Sequence, residues 1–132
     1  QAFDGKKKIC VLGSCGGGRD KWKREVMAKV AEKYCDSIIL TNEDPYDDDP
    51  MEIIDEVASG AKTAGKQDHK NLFRISDRAQ AIAQAIGAAA EGDLVLVTGK
   101  GCEQAMCLSG GKKIPWDDRE VARRVINRIV GK

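Results

Sequence analysis

The sequence lacks the features that mark several classes of protein. Its longest apolar runs, such as residues 94–97, are far too short to span a bilayer, and the N-terminus lacks the apolar core of a signal peptide. The 22 Lys and Arg side chains nearly balance the 21 Asp and Glu, so the formal net charge is only +1. A charge this balanced produces no overall electrostatic attraction to nucleic acid or to an anionic membrane. We therefore expect a cytoplasmic protein that binds neither.

Metal-binding and thiol patterns are also missing. The five cysteines, an odd number, form no CxxC pair and no Cys/His ligand spacing. The single histidine, His69, lies in a polar stretch and is assigned no chemistry. We expect reduced thiols and no metal site. A Cys/His catalytic pair is disfavoured, because no histidine lies near Cys102 in the sequence.

A chain of 132 residues is long enough for a single domain. Its apolar residues alternate between compact runs, typical of buried strands, and the spacing of helices. Compact apolar runs predict strands at residues 8–13, 37–41, 71–75 and 94–98. Apolar residues at helical spacing predict the helices between them and a last helix after Trp116. The residues expected to line the first helix are Val26, Met27, Val30, Ala31 and Tyr34. The second helix is predicted to run from about Pro50 to Ala58, and Ser76 is predicted to cap the third.

This alternation predicts an α/β fold. We expect a Rossmann-like, doubly wound, mostly parallel sheet with helices on both faces. In such a sheet ligands bind beyond the carboxyl ends of the strands. Three segments follow predicted strands, at residues 13–24, 42–49 and 99–103. All three are expected to open onto one edge of the sheet.

The first segment is rich in glycine and contains Arg19. Glycines let the backbone approach an anion closely, and a helix N-terminus favours negative charge. A guanidinium at a helix start is unfavourable with the helix dipole unless an anion or carboxylate meets it. The segment matches neither GxGxxG nor GxxxxGK[ST], so a plain strand-to-helix turn is the alternative.

The other two segments carry acidic groups. Five carboxylates lie within residues 43–49, an arrangement that favours a cationic group or a metal ion. The alternative is a solvated loop in which Asp49 only caps the next helix. In the third segment, glycines flank Lys100 and leave their backbone amides accessible to a ligand. Glu103 in the same segment can face an amine. A simple strand-ending turn is the alternative there.

Five ordered motifs run through these segments. They read GGRDKWKREVM at residues 17–27, TNEDPYDDDP at 41–50, DRAQAI at 77–82, GKGCE at 99–103 and WDDREVA at 116–122. The corresponding patterns of a known family are GGxRDxxKRxxM, TxDNPRxEDP, DRxxAI, GKGHE and FDDREVA. Over residues 7–128 the chain thereby resembles the C-terminal domain of the Mur ligases, most closely the UDP-N-acetylmuramoyl-tripeptide synthetase branch. The resemblance implies an ATP-dependent amide-bond ligase of peptidoglycan synthesis. Such an enzyme adds the third residue to a UDP-N-acetylmuramoyl dipeptide through an acyl phosphate.

The resemblance also implies how this polypeptide relates to the whole enzyme. Residues 1–132 are expected to form the C-terminal, glutamate-ligase-type domain without its first strand-helix unit and without the N-terminal and central ATPase domains. ATP and Mg²⁺ would be bound mainly by those other domains, because no GxxxxGK[ST] pattern occurs here. We therefore expect the isolated domain to be inactive.

Seven residues fall on the family's positions for binding substrate or the ATP phosphates. They are Arg19, Glu43, Asp44, Pro45, Tyr46, Gly99 and Glu103. By the resemblance, Arg19 lies near the phosphates and the substrate carboxylate, where charge-assisted hydrogen bonds are strong, and Glu103 holds an ammonium. No catalytic residue and no metal ligand is assigned.

Two departures from the family pattern bear on the substrate. Tyr46 replaces the arginine that grips the distal carboxylate in diaminopimelate-specific members, and Cys102 replaces a histidine. An acidic loop without that arginine favours a lysine-like diamino acid, such as lysine or ornithine. Diaminopimelate is the alternative if Arg74, Arg78 or a residue of the other domains supplies the missing charge.

Two other classes of function compete with the ligase. One is a stand-alone Rossmann-like module that binds a nucleotide or a phosphorylated metabolite. The other is a redox or metal protein that uses its thiols.

Overall fold

The structure, a computed structural model, describes residues 6–14, 22–68, 70–100 and 105–131. Strands and helices alternate through most of this part of the chain. The strands are β1 Lys8–Leu12, β2 Ser37–Leu40, β3 Leu72–Arg74, β4 Leu94–Val97, β5 Ala105–Cys107 and β6 Lys113–Pro115. The α-helices are α1 Trp22–Tyr34, α2 Pro50–Ala64, α3 Arg78–Ala88 and α4 Asp118–Val130. No helix within these ranges is long and apolar enough to cross a membrane.

The first four strands form one parallel sheet in the order β3-β2-β1-β4. Cys10 and Leu12 of β1 face the layer of α1 and α2, whereas Ile9 and Val11 face the layer of α3 and α4. Because β1 and β2 are buried on both faces, their sequences read as continuous apolar runs. The predicted doubly wound α/β fold, with at least four parallel strands, is confirmed.

The second helix is longer than the sequence indicates. Asp49 caps it as expected by accepting a hydrogen bond from the Met51 backbone N–H at 2.9 Å. The predicted end near Ala58 is wrong, since α2 continues to Ala64. Gly60 lies inside the helix, where a Cβ would approach the Cβ of Ala28 to 3.0 Å. Glycine here serves the close contact between α1 and α2 and does not mark a turn.

This close contact also changes which face of α1 is buried. The core side of α1 is made by Ala28 and Ala31, with Met27 packed beside them. Val26 and Val30, which were expected to line the core, are 50% and 54% exposed. The small residues bring the two helices together and turn the larger apolar side chains outward.

Two further predictions of local structure are wrong. The cap of α3 is Asp77 instead of Ser76, and its carboxylate accepts a hydrogen bond from the Gln80 N–H at 3.1 Å. Between Gly101 and Trp116 the sequence predicts no strand, but the structure has the antiparallel hairpin of β5 and β6 there. Its turn is formed at Ser109–Gly111.

The prediction of reduced thiols is wrong for two cysteines. Cys10 of β1 and Cys35, just after α1, form a disulfide with a Cα–Cα distance of 6.2 Å. They are 25 residues apart in the sequence, so no local spacing indicates the pair. Both sulfurs belong to the core between the sheet and α1, where cysteine packs as a small apolar side chain in either redox state. Cys107 is a free thiol.

The packing of α2 on the sheet can be tested with two substitutions in the same helix. Ile54 is 2% exposed and Met51 is 40% exposed. We expect Ile54→Ala to lower the free energy of unfolding by about 2–5 kcal/mol, because it leaves a cavity in the core. Met51→Ala should change it by about 0.5 kcal/mol or less. Urea denaturation of the chain measures both, and equal midpoints for the two variants would contradict this packing.

Candidate functional site

Three loops meet where β1, β2 and β4 end. A Cβ on Gly13, which follows β1, would lie 3.0 Å from the Cβ of Glu43 and 3.0 Å from the carbonyl oxygen of Thr41. A Cβ on Gly99, which follows β4, would collide with the carboxylate of Glu43. Glu43 is thus enclosed between two glycines, at the shared carboxyl edge of the parallel strands.

Gly99 also has a backbone conformation that other residues rarely adopt. Its φ is +103°, in the region where a side chain is disfavoured. Both its backbone angle and its contact with Glu43 therefore require the absence of a Cβ. This requirement explains physically why a glycine directly follows the strand.

The loop after β2 is held by the β5–β6 hairpin. The backbone N–H of Tyr46 donates to the Cys107 carbonyl at 3.2 Å, and the Cys107 N–H donates to the Asp44 carboxylate at 2.8 Å. Asp47 accepts a hydrogen bond from the Gly110 N–H at 2.8 Å. Tyr46 has a positive φ of 53°, an uncommon conformation for a residue with a side chain. The hairpin thus fixes a strained turn at the site.

A buried ion pair neutralises Asp44 within the chain. The Nζ atom of Lys100 lies 2.9 Å from both carboxylate oxygens of Asp44, and the two side chains are 1% and 9% exposed. Asp48 lies 4.0 Å from a guanidinium nitrogen of Arg24. The expectation that this loop attracts an external cation is therefore wrong for Asp44. Within the described ranges, no group of three or more His, Cys, Asp or Glu side chains is arranged to hold a metal ion.

A second buried pair lies beside the loops. The guanidinium of Arg78 donates from Nε and Nη2 to the two carboxylate oxygens of Asp118, each at 2.8 Å. It also donates to the carbonyl oxygens of Asn42 and Thr98, at 3.1 and 2.7 Å. The indole N–H of Trp116 donates to Asp118 at 2.7 Å. One side chain thus contacts two of the loops and the start of α4.

The neighbouring Asp117 caps α4. Its carboxylate accepts hydrogen bonds from the backbone N–H of Arg119 at 2.9 Å and from the guanidinium of the same residue. The hydrogen bonds from the Arg119 side chain contribute most to a lowered pKa of Asp117, and partial desolvation opposes them. Because the folded-state pKa is lowered, this carboxylate stabilises the fold above about pH 4 and loses that contribution as the pH falls further.

Five of the seven predicted site residues can be located. Glu43, Asp44 and Pro45 are buried, Tyr46 is half-buried, and Gly99 lies against Glu43. Arg19 and Glu103 lie outside the described residues, as does Cys102.

Sequence reasoning missed the residues that hold the site together. Lys100, Asp118 and Trp116 were given no role, and Arg78 was considered only as a replacement positive charge. All four occur in motifs that the sequence displays, but motif spacing does not reveal which buried charges pair.

The fold is a doubly wound α/β domain whose loops converge at the carboxyl edge of its sheet, where domains of this class bind ligands. Residues 1–101 match the family model described as "Mur ligase, glutamate ligase domain". The chain is 42% identical over 125 residues to a UDP-N-acetylmuramoyl-L-alanyl-D-glutamate–2,6-diaminopimelate ligase of Nitrosomonas europaea. It is also 42% identical over 121 residues to a UDP-N-acetylmuramyl-tripeptide synthetase of Roseiflexus sp.. The chain belongs to the Mur ligase family.

A solved structure gives the same result. It is a UDP-N-acetylmuramoyl-L-alanyl-D-glutamate–2,6-diaminopimelate ligase that matches 94% of this chain with a TM-score of 0.82 and 31% identity. The match covers 24% of that protein, while 95% and 92% of this chain align with 22% and 23% of the Nitrosomonas and Roseiflexus enzymes. The chain therefore spans less than a quarter of the length of these relatives. Family membership favours the ligase domain over a stand-alone nucleotide module or a thiol protein.

The role of Gly99 can be separated into backbone strain and contact with Glu43. Gly110 also has a positive φ, 70°, but a Cβ there would meet nothing within 4 Å. We expect Gly110→Ala to cost about 1–2 kcal/mol, from the backbone conformation alone. Gly99→Ala should cost more, since the carboxylate of Glu43 must also move. Chemical denaturation compares the two, and equal losses would show that Glu43 does not press on Gly99.

Proposed function

We propose that this chain is the amino-acid-binding C-terminal domain of an ATP-dependent ligase that adds the third residue to a UDP-N-acetylmuramoyl dipeptide. The convergence of the three motif-bearing loops on Glu43 carries the proposal. The named activities of the relatives support it. The protein that carries this chain would then catalyse one amide-bond step of peptidoglycan synthesis, in the cytoplasm, where ATP is available.

The reaction demands that an amine be held against an activated carboxylate. The dipeptide carboxylate becomes an acyl phosphate, the amine nitrogen attacks its carbonyl carbon, and phosphate leaves while the nitrogen loses a proton. Orientation alone can contribute about 7–11 kcal/mol to such a step. The proposed contribution of this domain is that orientation.

The proposed ligands divide by charge. Arg19 would hold the carboxylate of the incoming amino acid or the phosphates through its planar guanidinium. Glu103 would accept hydrogen bonds from an ammonium. Glu43, Asp44, Pro45 and Tyr46 would form the wall next to the amino acid, with Gly99 packed against Glu43.

ATP and Mg²⁺ are proposed to bind mainly to parts of the protein outside this sequence. The sequence holds no GxxxxGK[ST] pattern to cradle the phosphates. Asp44 is already bound to Lys100, and Asp47 to the hairpin backbone, so we assign no metal ligands to this chain.

For the amino acid, we propose a lysine-like diamino acid, lysine or ornithine, over diaminopimelate. Tyr46 offers no positive charge for a second carboxylate. The cations that were considered as substitutes are bound to other acids: Arg74 to Asp55 and Asp68, and Arg78 to Asp118. A distal carboxylate would meet an acidic loop with neither arginine available to it.

This preference can be measured in the protein that carries the chain. We expect ATP-dependent ligation with a specificity constant about tenfold or more higher for lysine than for meso-diaminopimelate, because like-charge contacts cost several kcal/mol. Tyr46→Arg should shift the ratio toward diaminopimelate. A wild-type preference for diaminopimelate, unchanged by Tyr46→Arg, would refute the specificity assignment. Ligation of neither amino acid would refute the ligase proposal.

The role of Arg19 has its own test in the same protein. We expect Arg19→Ala to lower kcat/KM at least about thirtyfold, since a charge-assisted bidentate contact in a closed site contributes about 2 kcal/mol. Arg128→Ala, which removes an exposed arginine in the last turn of α4, is the matched control and should leave kcat/KM unchanged. Equal kinetics for the two variants would remove Arg19 from the site.

A further inference from the structure

The guanidinium of Arg78 is the most heavily bonded side chain described beside the site. It donates four hydrogen bonds to three acceptor groups on separate parts of the chain: the Asp118 carboxylate and two loop carbonyls. The side chains of Arg78 and Asp118 are 1% and 6% exposed, so solvent does not substitute for these partners. A fixed planar fork with five N–H donors suits this arrangement.

The two carbonyls that Arg78 contacts stand directly before residues of the site. Asn42 precedes Glu43, and Thr98 precedes Gly99. Thr98 is further fixed to β1, because its backbone N–H and its hydroxyl both donate to the Val11 carbonyl at 3.0 Å. Arg78 therefore bridges the loops after β2 and β4, which the Lys100–Asp44 pair also joins.

The partner of the Arg78 guanidinium on α4, Asp118, is held in place as well. Asp118 lies in the first turn of α4 and receives the Trp116 indole N–H in addition to Arg78. The carboxylate cannot rotate without losing hydrogen bonds from both residues. Arg78 is consequently anchored at a set position between α4 and the two loops.

We propose that Arg78 is a positioning residue for the incoming amino acid. It does not contact substrate. Held by Asp118 and Trp116, it fixes the separation of Glu43 and Gly99 and thereby the affinity for the amino acid. This inference rests on the proposed ligase function, and it assigns specific work to the DRxxAI and FDDREVA motifs.

Only arginine can make this set of contacts. A lysine keeps the charge, but its single nitrogen cannot reach both carboxylate oxygens and both loop carbonyls. Arg78→Lys should therefore preserve the buried ion pair and release at least one loop. A displacement of about 1 Å in a positioned group can reduce a reaction rate by about a hundredfold.

The test compares three Michaelis constants in the protein that carries this chain. For Arg78→Lys we expect the KM for the amino acid to rise about tenfold or more, with the KM for ATP and for the UDP-linked dipeptide within about twofold of wild type. Arg74→Lys is the matched control, since Arg74 also binds two carboxylates, at 2.6 and 3.1 Å, but at the end of the outer strand β3. That variant should leave all three constants unchanged.

A second, more conservative variant tests the same role if Arg78→Lys does not fold. Trp116→Phe keeps an aromatic ring but removes the indole N–H that donates to Asp118, so the KM for the amino acid should rise about threefold. If Arg78→Lys does not fold, the same selective rise in Trp116→Phe decides the question. Equal changes in all three constants, no change, or the same effect in Arg74→Lys would overturn the positioning role while leaving the ligase function intact. Absence of ligation by the wild-type protein would overturn both.

Discussion

A buried positive charge must have its hydrogen bonds satisfied, and in this domain that constraint joins the sheet, both helices of one layer and the loops of the site. Arg78 begins α3 and Asp118 begins α4. The two carbonyls that Arg78 also contacts, of Asn42 and Thr98, lie just after β2 and β4. Removing one partner of a buried pair typically costs about 3–5 kcal/mol, because the other charge is left uncompensated. The pair itself adds little net stability compared with apolar packing. Its value lies in fixing one geometry.

The second buried pair extends the same principle to the hairpin. Lys100 neutralises Asp44, and the free backbone N–H of β5 completes the hydrogen bonds of that carboxylate. The loop after β2 is thus bound both to Lys100, which follows β4, and to the β5–β6 hairpin. Asp44 and Asp47 of this acidic loop bind partners within the chain, and these bonds hold the loop in one conformation.

The parallel sheet explains why loops so distant in sequence can share a site. Helices α1 and α2 lie on one face of the sheet, and α3 and α4 lie on the other. Because the strands of this sheet are parallel, the carboxyl ends of β1, β2 and β4 lie on one edge. The backbone at Gly13 then lies close to the Cβ of Glu43, and the backbone at Gly99 lies close to its carboxylate. The core supports this edge from both layers and leaves the loops to carry the chemistry.

The sequence by itself determined the class of fold, the order of the strands and helices of the main sheet and the positions of the three loops. Those features depend on apolar periodicity, helix caps and glycine placement, which act over a few residues. It also indicated the family, because five motifs occur in order.

Tertiary structure alone decided how α1 and α2 pack through Gly60 and Ala28, that Cys10 meets Cys35, and that a hairpin covers the acidic loop. It decided as well that Lys100 belongs to Asp44 and Arg78 to Asp118. Pairings of this kind join residues 25 to 63 positions apart, and only the folded chain brings such residues within hydrogen-bonding or bonding distance.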